Sequence, residues 1–96
     1  MSVKLLHTFA RVAHLSSFSR AAEELGRTPS AISMQVAELE EQIGLKLLER
    51  TTRNVTPTPD GAILLERVQD SIQRLESGIV EARDAAERRR GRVVFG

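Results

Sequence analysis

The sequence has no cysteine, few aromatic residues and no long apolar run. Without cysteine, disulfides, zinc–thiolate sites and cysteine nucleophiles are excluded. No apolar run approaches the roughly 18 residues needed to cross a bilayer, and no signal peptide opens the chain, so we expect a cytoplasmic protein without a membrane partner. The two histidines, His7 and His14, could not form a zinc site without carboxylates. We therefore expect no metal and no cofactor.

The chain is also short and almost neutral. Its 96 residues, 41% of them hydrophobic, suffice for one small domain and one further element. A core of that size often depends on a partner chain for stability. The net charge is only +1, yet Lys46, Arg50 and Arg53 cluster apart from most of the acidic residues. A neutral total can therefore hide a basic face.

Helical periodicity predicts two helices at the start of the chain. Apolar residues recur at helical spacing over 4–15, between polar positions. A second helix is predicted over 18–25, with Ser17 as its N-cap and Gly26 in the left-handed conformation that ends a helix. The short turn after Gly26 leads into a third helix.

The third helix has clear boundary signals. Thr28 is a good N-cap, Pro29 suits the first helical position, and Gly44 suits the exit. Its apolar stripe consists of Ile32, Val36, Leu39 and Ile43. Two helices joined by a short turn that contains glycine predict a helix-turn-helix, here over 18–37.

A wing and a long helix follow. Residues 45–50 and 55–57 flank a polar loop, which predicts a two-stranded hairpin with Pro57 at its edge. The cap-and-proline pair at 58–59 then begins a helix predicted to run to about residue 90, a rod of roughly 45 Å. Its heptad seam includes Val68, Ile72, Leu75, Ile79, Ala82 and Ala86.

The long helix implies a partner, because a domain of 58 residues cannot cover its seam along the full length. We expect dimerisation through Val68, Ile72, Leu75 and Ile79. Residues 92–95 are predicted to form a strand that opens a further domain, which this chain does not contain.

The third helix and the wing form the candidate binding surface. Short side chains in the first turns of the helix permit close approach to phosphates and base edges; they are Thr28, Pro29, Ser30 and Ser33. Arg50 suits a phosphate, and Arg53 at the loop tip suits a narrow minor groove. The alternative is an ordinary helical cluster with solvated arginines. We favour DNA because the helix-turn-helix and the wing occur together.

Other polar groups have simpler interpretations. Glu38, Glu40 and Glu41 are expected on a solvated helix face or beside arginines, and both histidines are expected to be structural. The arginines at 88–90 suit the C-terminal end of a helix dipole. No phosphate-binding loop or nucleophile motif is present, so we expect no enzyme. A helical protein-interaction module is the second hypothesis, and salt dependence of DNA binding would separate the two.

Taken together, these residues resemble one known family. Segments 17–25, 30–33 and 47–50, with Phe9, Leu39, Glu40, Ile43, Gly44 and Thr58, resemble the N-terminal DNA-binding region of LysR-type bacterial transcriptional regulators. The resemblance implies a mainly α fold: a winged helix-turn-helix over 1–58, a dimerisation linker helix over 59–90, and the start of a C-terminal effector domain at 91–96.

The resemblance also implies a function. A dimer or tetramer, joined through linker helices, would bind dyad-symmetric promoter DNA and regulate transcription. A small-molecule co-inducer would bind only the absent C-terminal domain. The matching positions imply that the major groove is faced by Thr28, Pro29, Ser30, Ser33 and Met34, with Gln35 nearby and with Arg50 and Arg53 on the wing.

Three positions depart from the family pattern. Pro29 stands where glutamine is frequent, and Met34 stands where arginine is frequent. Both departures remove a hydrogen-bonding base reader, so the usual base contacts do not carry over. Arg27 replaces a customary aliphatic residue, either as a phosphate contact or as a tolerated surface change.

Overall fold

The computed structural model describes residues 2–51 and 54–95, with the backbone alone for 91–95. Three short helices, a two-stranded hairpin and a long helix follow one another along the chain: α1 Val3–Leu15, α2 Phe18–Leu25, α3 Pro29–Ile43, β1 Leu48–Arg50, β2 Val55–Pro57 and α4 Pro59–Phe95. The predicted mainly α, winged helix-turn-helix fold is confirmed.

Local capping sets the helix boundaries of the helix-turn-helix. The hydroxyl of Ser17 accepts a hydrogen bond from the backbone N–H of Arg20 at 3.1 Å, as an N-cap does. Gly26 ends α2 and Gly44 ends α3 with φ of 67° and 82°, in the left-handed region where glycine has no Cβ to clash. These bounds agree with those predicted from the sequence.

One core joins the three helices, the wing and the beginning of α4. Its buried members are Leu5, Phe9, Val12, Ala13, Ala21, Ala22, Ile32, Val36, Leu39, Leu47, Leu48 and Val55. Leu64 and Leu65 of α4 pack against this cluster and are partly buried. The long helix is therefore attached to the domain by its first turns.

The wing is held to α3 by a carboxylate. β1 and β2 pair antiparallel, with Leu48 opposite Pro57 and Arg50 opposite Val55. Just before and within β1, the backbone N–H groups of Leu47 and Leu48 donate to Oε2 of Glu40 at 2.7 and 3.2 Å. The predicted solvated position is thus wrong for Glu40, because its carboxylate satisfies two backbone donors that the hairpin leaves unpaired.

Thr58 and Gly61 fix the direction in which α4 leaves the domain. The Thr58 hydroxyl donates to the Lys46 carbonyl at 2.6 Å and accepts from the Gly61 N–H at 2.9 Å. The Thr58 N–H donates to the Leu47 carbonyl at 3.0 Å. A Cβ on Gly61 would lie 1.9 Å from that same carbonyl oxygen, so only glycine fits. The start of α4 is locked against the segment that precedes the wing.

α4 is longer than predicted. Its 37 residues extend about 55 Å, and the chain measures 64 × 25 × 21 Å. The strand predicted at 92–95 is wrong, since these residues continue the helix. Inside a helix each backbone group finds a partner within its own segment, whereas a strand needs a neighbouring strand, and the described residues offer none there. No helix of the described chain is long and apolar enough to cross a membrane.

Candidate nucleic-acid interface

α3 has a buried face and, over residues 29–37, an uncharged exposed face. Ile32, Val36 and Leu39 are buried in the core. On the other side residues 29–37 present four exposed side chains, those of Pro29, Ser30, Met34 and Ala37, and the exposed Glu38 and Glu41 come after them. Residues 28–37 include no Asp, Glu, Lys, Arg or His. This face can therefore offer short polar groups and apolar contacts but no charge.

The N-terminus of α3 is capped by the residue that precedes it. Thr28 is exposed, and its hydroxyl oxygen accepts from the Ala31 N–H at 3.1 Å. Helix N-termini carry a partial positive charge and attract anions. Arg27, directly before this cap, is also exposed. The entry to α3 is thus the more electropositive end of the uncharged face.

Arg50 connects the wing to both helices of the helix-turn-helix. Its Nη2 donates to the hydroxyl of Ser33 at 2.6 Å, and its guanidinium carbon lies 4.1 Å from the centroid of the Phe18 ring. β1, α2 and α3 therefore meet at one exposed cation. Sequence reasoning assigned Arg50 and Ser33 to the interface separately and missed Phe18. No local signal could have found Phe18, because only the tertiary fold brings α2 to the end of β1.

Of the remaining predicted residues, Gln35 lies against a neighbouring helix. Gln35 is half-buried, with Oε1 2.9 Å from the Thr8 hydroxyl of α1, so it is tied to the neighbouring helix. Arg53, predicted at the wing tip, lies outside the described residues. At the base of that loop, the Thr51 N–H donates to the Asn54 carbonyl at 2.8 Å. The structure thus brings Ser33 and Arg50 together and turns Gln35 toward α1.

A salt bridge on α1 and α2 lies apart from these contacts. Nε and Nη2 of Arg11 donate to the two carboxylate oxygens of Glu24 at 2.5 and 2.7 Å. These hydrogen bonds lower the pKa of Glu24 and raise the pKa of Arg11. Both side chains are partly exposed, so the pair contributes little to stability.

The seam of α4 is covered in its first part and open further along. Val68 is 7% exposed and Ile72 is half-buried. Leu75 and Ile79 are 63% and 53% exposed. An apolar groove runs between α1 and this part of α4, lined by Val3, Leu6, Leu64, Val68, Ile72 and Leu75. The described part of the chain therefore leaves only the later seam residues uncovered.

The described residues contain no cluster of three or more His, Asp or Glu side chains that could hold a metal ion. The exposed cations beside the first turns of α3, Arg27 and Arg50, are suited to contacts with an anionic partner. An uncharged helix face flanked by cations can approach both phosphates and base edges.

Comparison with known proteins identifies relatives of this architecture. The model of the bacterial regulatory helix-turn-helix proteins of the lysR family matches residues 3–62. The transcriptional regulator CrgA of Neisseria meningitidis is 42% identical over 76 residues, which cover 79% of this chain and 25% of that protein. PtxR of Pseudomonas aeruginosa, also a transcriptional regulator, is 36% identical over 93 residues, or 97% of this chain and 30% of that protein. The chain spans about a quarter of the curated relatives it matches.

Solved structures show the same arrangement. The BenM DNA-binding domain in complex with catB site 1 DNA superposes with a TM-score of 0.84 at 29% identity, over 90% of this chain and 96% of that chain. The CbnR DNA-binding domain, also crystallised with DNA, gives a TM-score of 0.79 at 29% identity, over 90% and 99% of the two chains.

Proposed function

Because this chain belongs to the LysR family of bacterial regulatory helix-turn-helix proteins, we propose that it binds promoter DNA sequence-specifically and regulates transcription without enzymatic activity. Relatives named as transcriptional regulators and similar domains crystallised with DNA support this function. Promoter DNA also implies action in the cytoplasm. One observation carries the proposal: the uncharged exposed face of α3 lies beside a wing cation, since Arg50 is bonded to Ser33.

In this proposal the winged domain of residues 1–58, with its helix-turn-helix at 18–37, inserts α3 into the major groove. Four exposed side chains would line the groove: Thr28, Pro29, Ser30 and Met34. Ser33 would lie at the edge of this surface, with Gln35 behind it, while Arg50 and Arg53 extend the contact to the backbone and minor groove.

Met34 is proposed as the principal apolar reader. Its side chain is 72% exposed and has no hydrogen-bond donor. In the major groove such a group can contact the methyl of thymine but cannot bond the acceptors of guanine. We therefore expect thymine to be favoured at one position of each half-site.

The linker helix of residues 59–90 is proposed to join two copies. Leu75 and Ile79 are the exposed part of the seam, and Val68 and Ile72 support it from within the chain. Covering a large apolar side chain contributes on the order of 1.5–3 kcal/mol. A two-fold pair, or a tetramer built from pairs, would present α3 to both halves of a dyad operator.

Residues 91–96 are proposed to lead toward an effector domain, in which a small-molecule co-inducer would bind. The share of its relatives that this chain spans supports that organisation.

Selection of binding sites from a random duplex pool tests the proposed function. We expect an enriched sequence with two-fold symmetry and half-sites about one helical turn apart. Met34→Arg should shift the preference toward guanine at one position per half-site, because arginine bonds the O6 and N7 acceptors. A pool without any enrichment would contradict the function, and an unchanged preference would remove Met34 from the readout.

A further inference from the structure

We propose that Phe18 and Ser33 are positioning residues that hold Arg50 ready to bind a DNA phosphate. This inference rests on the proposed DNA-binding function and deepens it. It assigns Ser33 a role through Arg50 rather than a direct base contact, and it adds Phe18 to the functional residues.

The guanidinium of Arg50 is held by two neighbouring side chains. Its guanidinium lies over the face of Phe18, 4.1 Å from the ring centroid, where the ring attracts a cation. Nη2 donates to the Ser33 hydroxyl at 2.6 Å. A guanidinium has several further N–H donors in a fixed planar fork, and on the exposed Arg50 these make no other hydrogen bond to the described residues. The two contacts thus orient the side chain and leave N–H donors for a phosphate.

The charge of Arg50 is also preserved. Ser33 and Phe18 are neutral, and no carboxylate within residues 2–51 and 54–90 forms an ion pair with Arg50. The positive charge is therefore available to a phosphate, which a guanidinium can bind through two parallel hydrogen bonds.

The composition of α3 makes this cation important. Residues 28–37 have no charged side chain, so attraction to phosphates at this face must come from flanking groups. Arg50 is the flanking cation that the structure bonds directly to α3. An arginine that is already ordered loses less conformational freedom on binding than a free one. Loss of either neutral partner should therefore weaken binding while leaving the charge in place.

Fluorescence anisotropy with a labelled duplex of about 25 base pairs, roughly two helical turns, provides the test. The 96-residue chain is titrated between about 50 and 200 mM salt. Arg50→Gln should lower the affinity by about tenfold at the lower salt and reduce the log–log salt slope by about one. Phe18→Leu and Ser33→Ala should each weaken binding by about threefold, the size of one modest ordering cost.

Matched controls lie on α4. Arg74→Gln makes the same change of charge on a side chain 82% exposed, and Ser77→Ala removes an equivalent hydroxyl. Neither should change the affinity. Thermal melting checks that each variant is folded. If Phe18→Leu disturbs the core, Ser33→Ala at the half-exposed position still tests whether Arg50 is positioned by its neighbours.

Double variants distinguish positioning from direct contact. In the Arg50→Gln background, neither Ser33→Ala nor Phe18→Leu should weaken binding further. Equal weakening in both backgrounds would make Ser33 a direct DNA contact and overturn the proposal. An unchanged salt slope in Arg50→Gln would make Arg50 an internal tie and overturn it equally. If the unaltered chain fails to bind any duplex, it is the proposed function that fails.

Discussion

α3 and the later part of α4 have the same kind of apolar stripe but opposite surroundings. In α3, Ile32, Val36 and Leu39 are no more than 1% exposed. In α4, Leu75 and Ile79 recur at similar spacing and are 63% and 53% exposed. Periodicity therefore identifies the face of a helix that needs cover, whereas the fold decides whether the chain itself supplies it. The winged domain is a completed core, whereas the later seam is left open and is half of an interface in the proposed dimer.

The largest effect should come from truncating the same residue type in the two regions. Leu39→Ala removes a side chain that is 0% exposed and should lower the free energy of unfolding by about 2–5 kcal/mol, because a cavity remains. Leu75→Ala should act mainly through association, with a loss that depends on protein concentration. Denaturant titrations at two concentrations measure both. Equal, concentration-independent losses would contradict the contrast between core and interface.

Two glycines of α4 provide the next comparison. Gly61→Ala should destabilise the fold by about 1–3 kcal/mol or more, because the new Cβ would meet the Leu47 carbonyl oxygen at 1.9 Å. A Cβ on Gly78 meets nothing within 4 Å. Gly78→Ala should therefore stabilise the helix by about 0.5–1 kcal/mol. Opposite shifts in melting temperature are expected, and shifts of the same sign would show that the joint at the start of α4 is not tight.

An effect of similar size is expected at the attachment of the wing. Glu40→Ala removes the acceptor for the N–H groups of Leu47 and Leu48 and should cost about 1.5–3 kcal/mol. Glu41→Ala, an equal change on an exposed neighbour, should cost far less. Hydrogen exchange of the Leu47 and Leu48 amides should accelerate only in the first variant. Unchanged exchange would mean that the carboxylate does not hold the wing.

The smallest effect concerns pH. Arg11 lowers the pKa of Glu24, so this ion pair stabilises the fold above the ordinary pKa of glutamate and loses its effect as pH falls through the lowered pKa. Glu24→Gln should melt slightly below the unaltered chain at neutral pH, and the two melting temperatures should converge in acid. Glu23→Gln, which lacks an arginine partner among the described residues, should show no such convergence.

Local signals in the sequence were sufficient for most of the fold. Thr28, Pro29 and Gly44 act on their own neighbours in the chain, and the bounds of α3 follow from them. The prediction of a strand at 92–95 was wrong because a strand, unlike a helix cap, does not depend on neighbouring residues in the sequence alone. A strand is defined by a partner outside its own segment, and the pattern of β-branched residues could not supply one.

The sequence predicted individual residues of the candidate site but not the contacts between them. Exposure of Ser30 and Met34 followed from their position on the side of α3 opposite its apolar stripe. The contacts of Arg50 with Phe18 and of Glu40 with the wing join residues distant in the sequence, and periodicity has no information about them. Burial of Val68 likewise depends on how α4 is set against α1 by Thr58 and its neighbours.

Sedimentation equilibrium of the unaltered chain and of Leu75→Lys tests whether a second copy completes the open seam of α4. We expect a dimer for the unaltered chain, because an apolar patch of this kind is seldom left open. Leu75→Lys should be a folded monomer with much lower affinity for selected DNA, since a lysine in the middle of the seam is costly to desolvate. A Leu75→Lys protein that remains dimeric would show that the open seam is not where two copies meet.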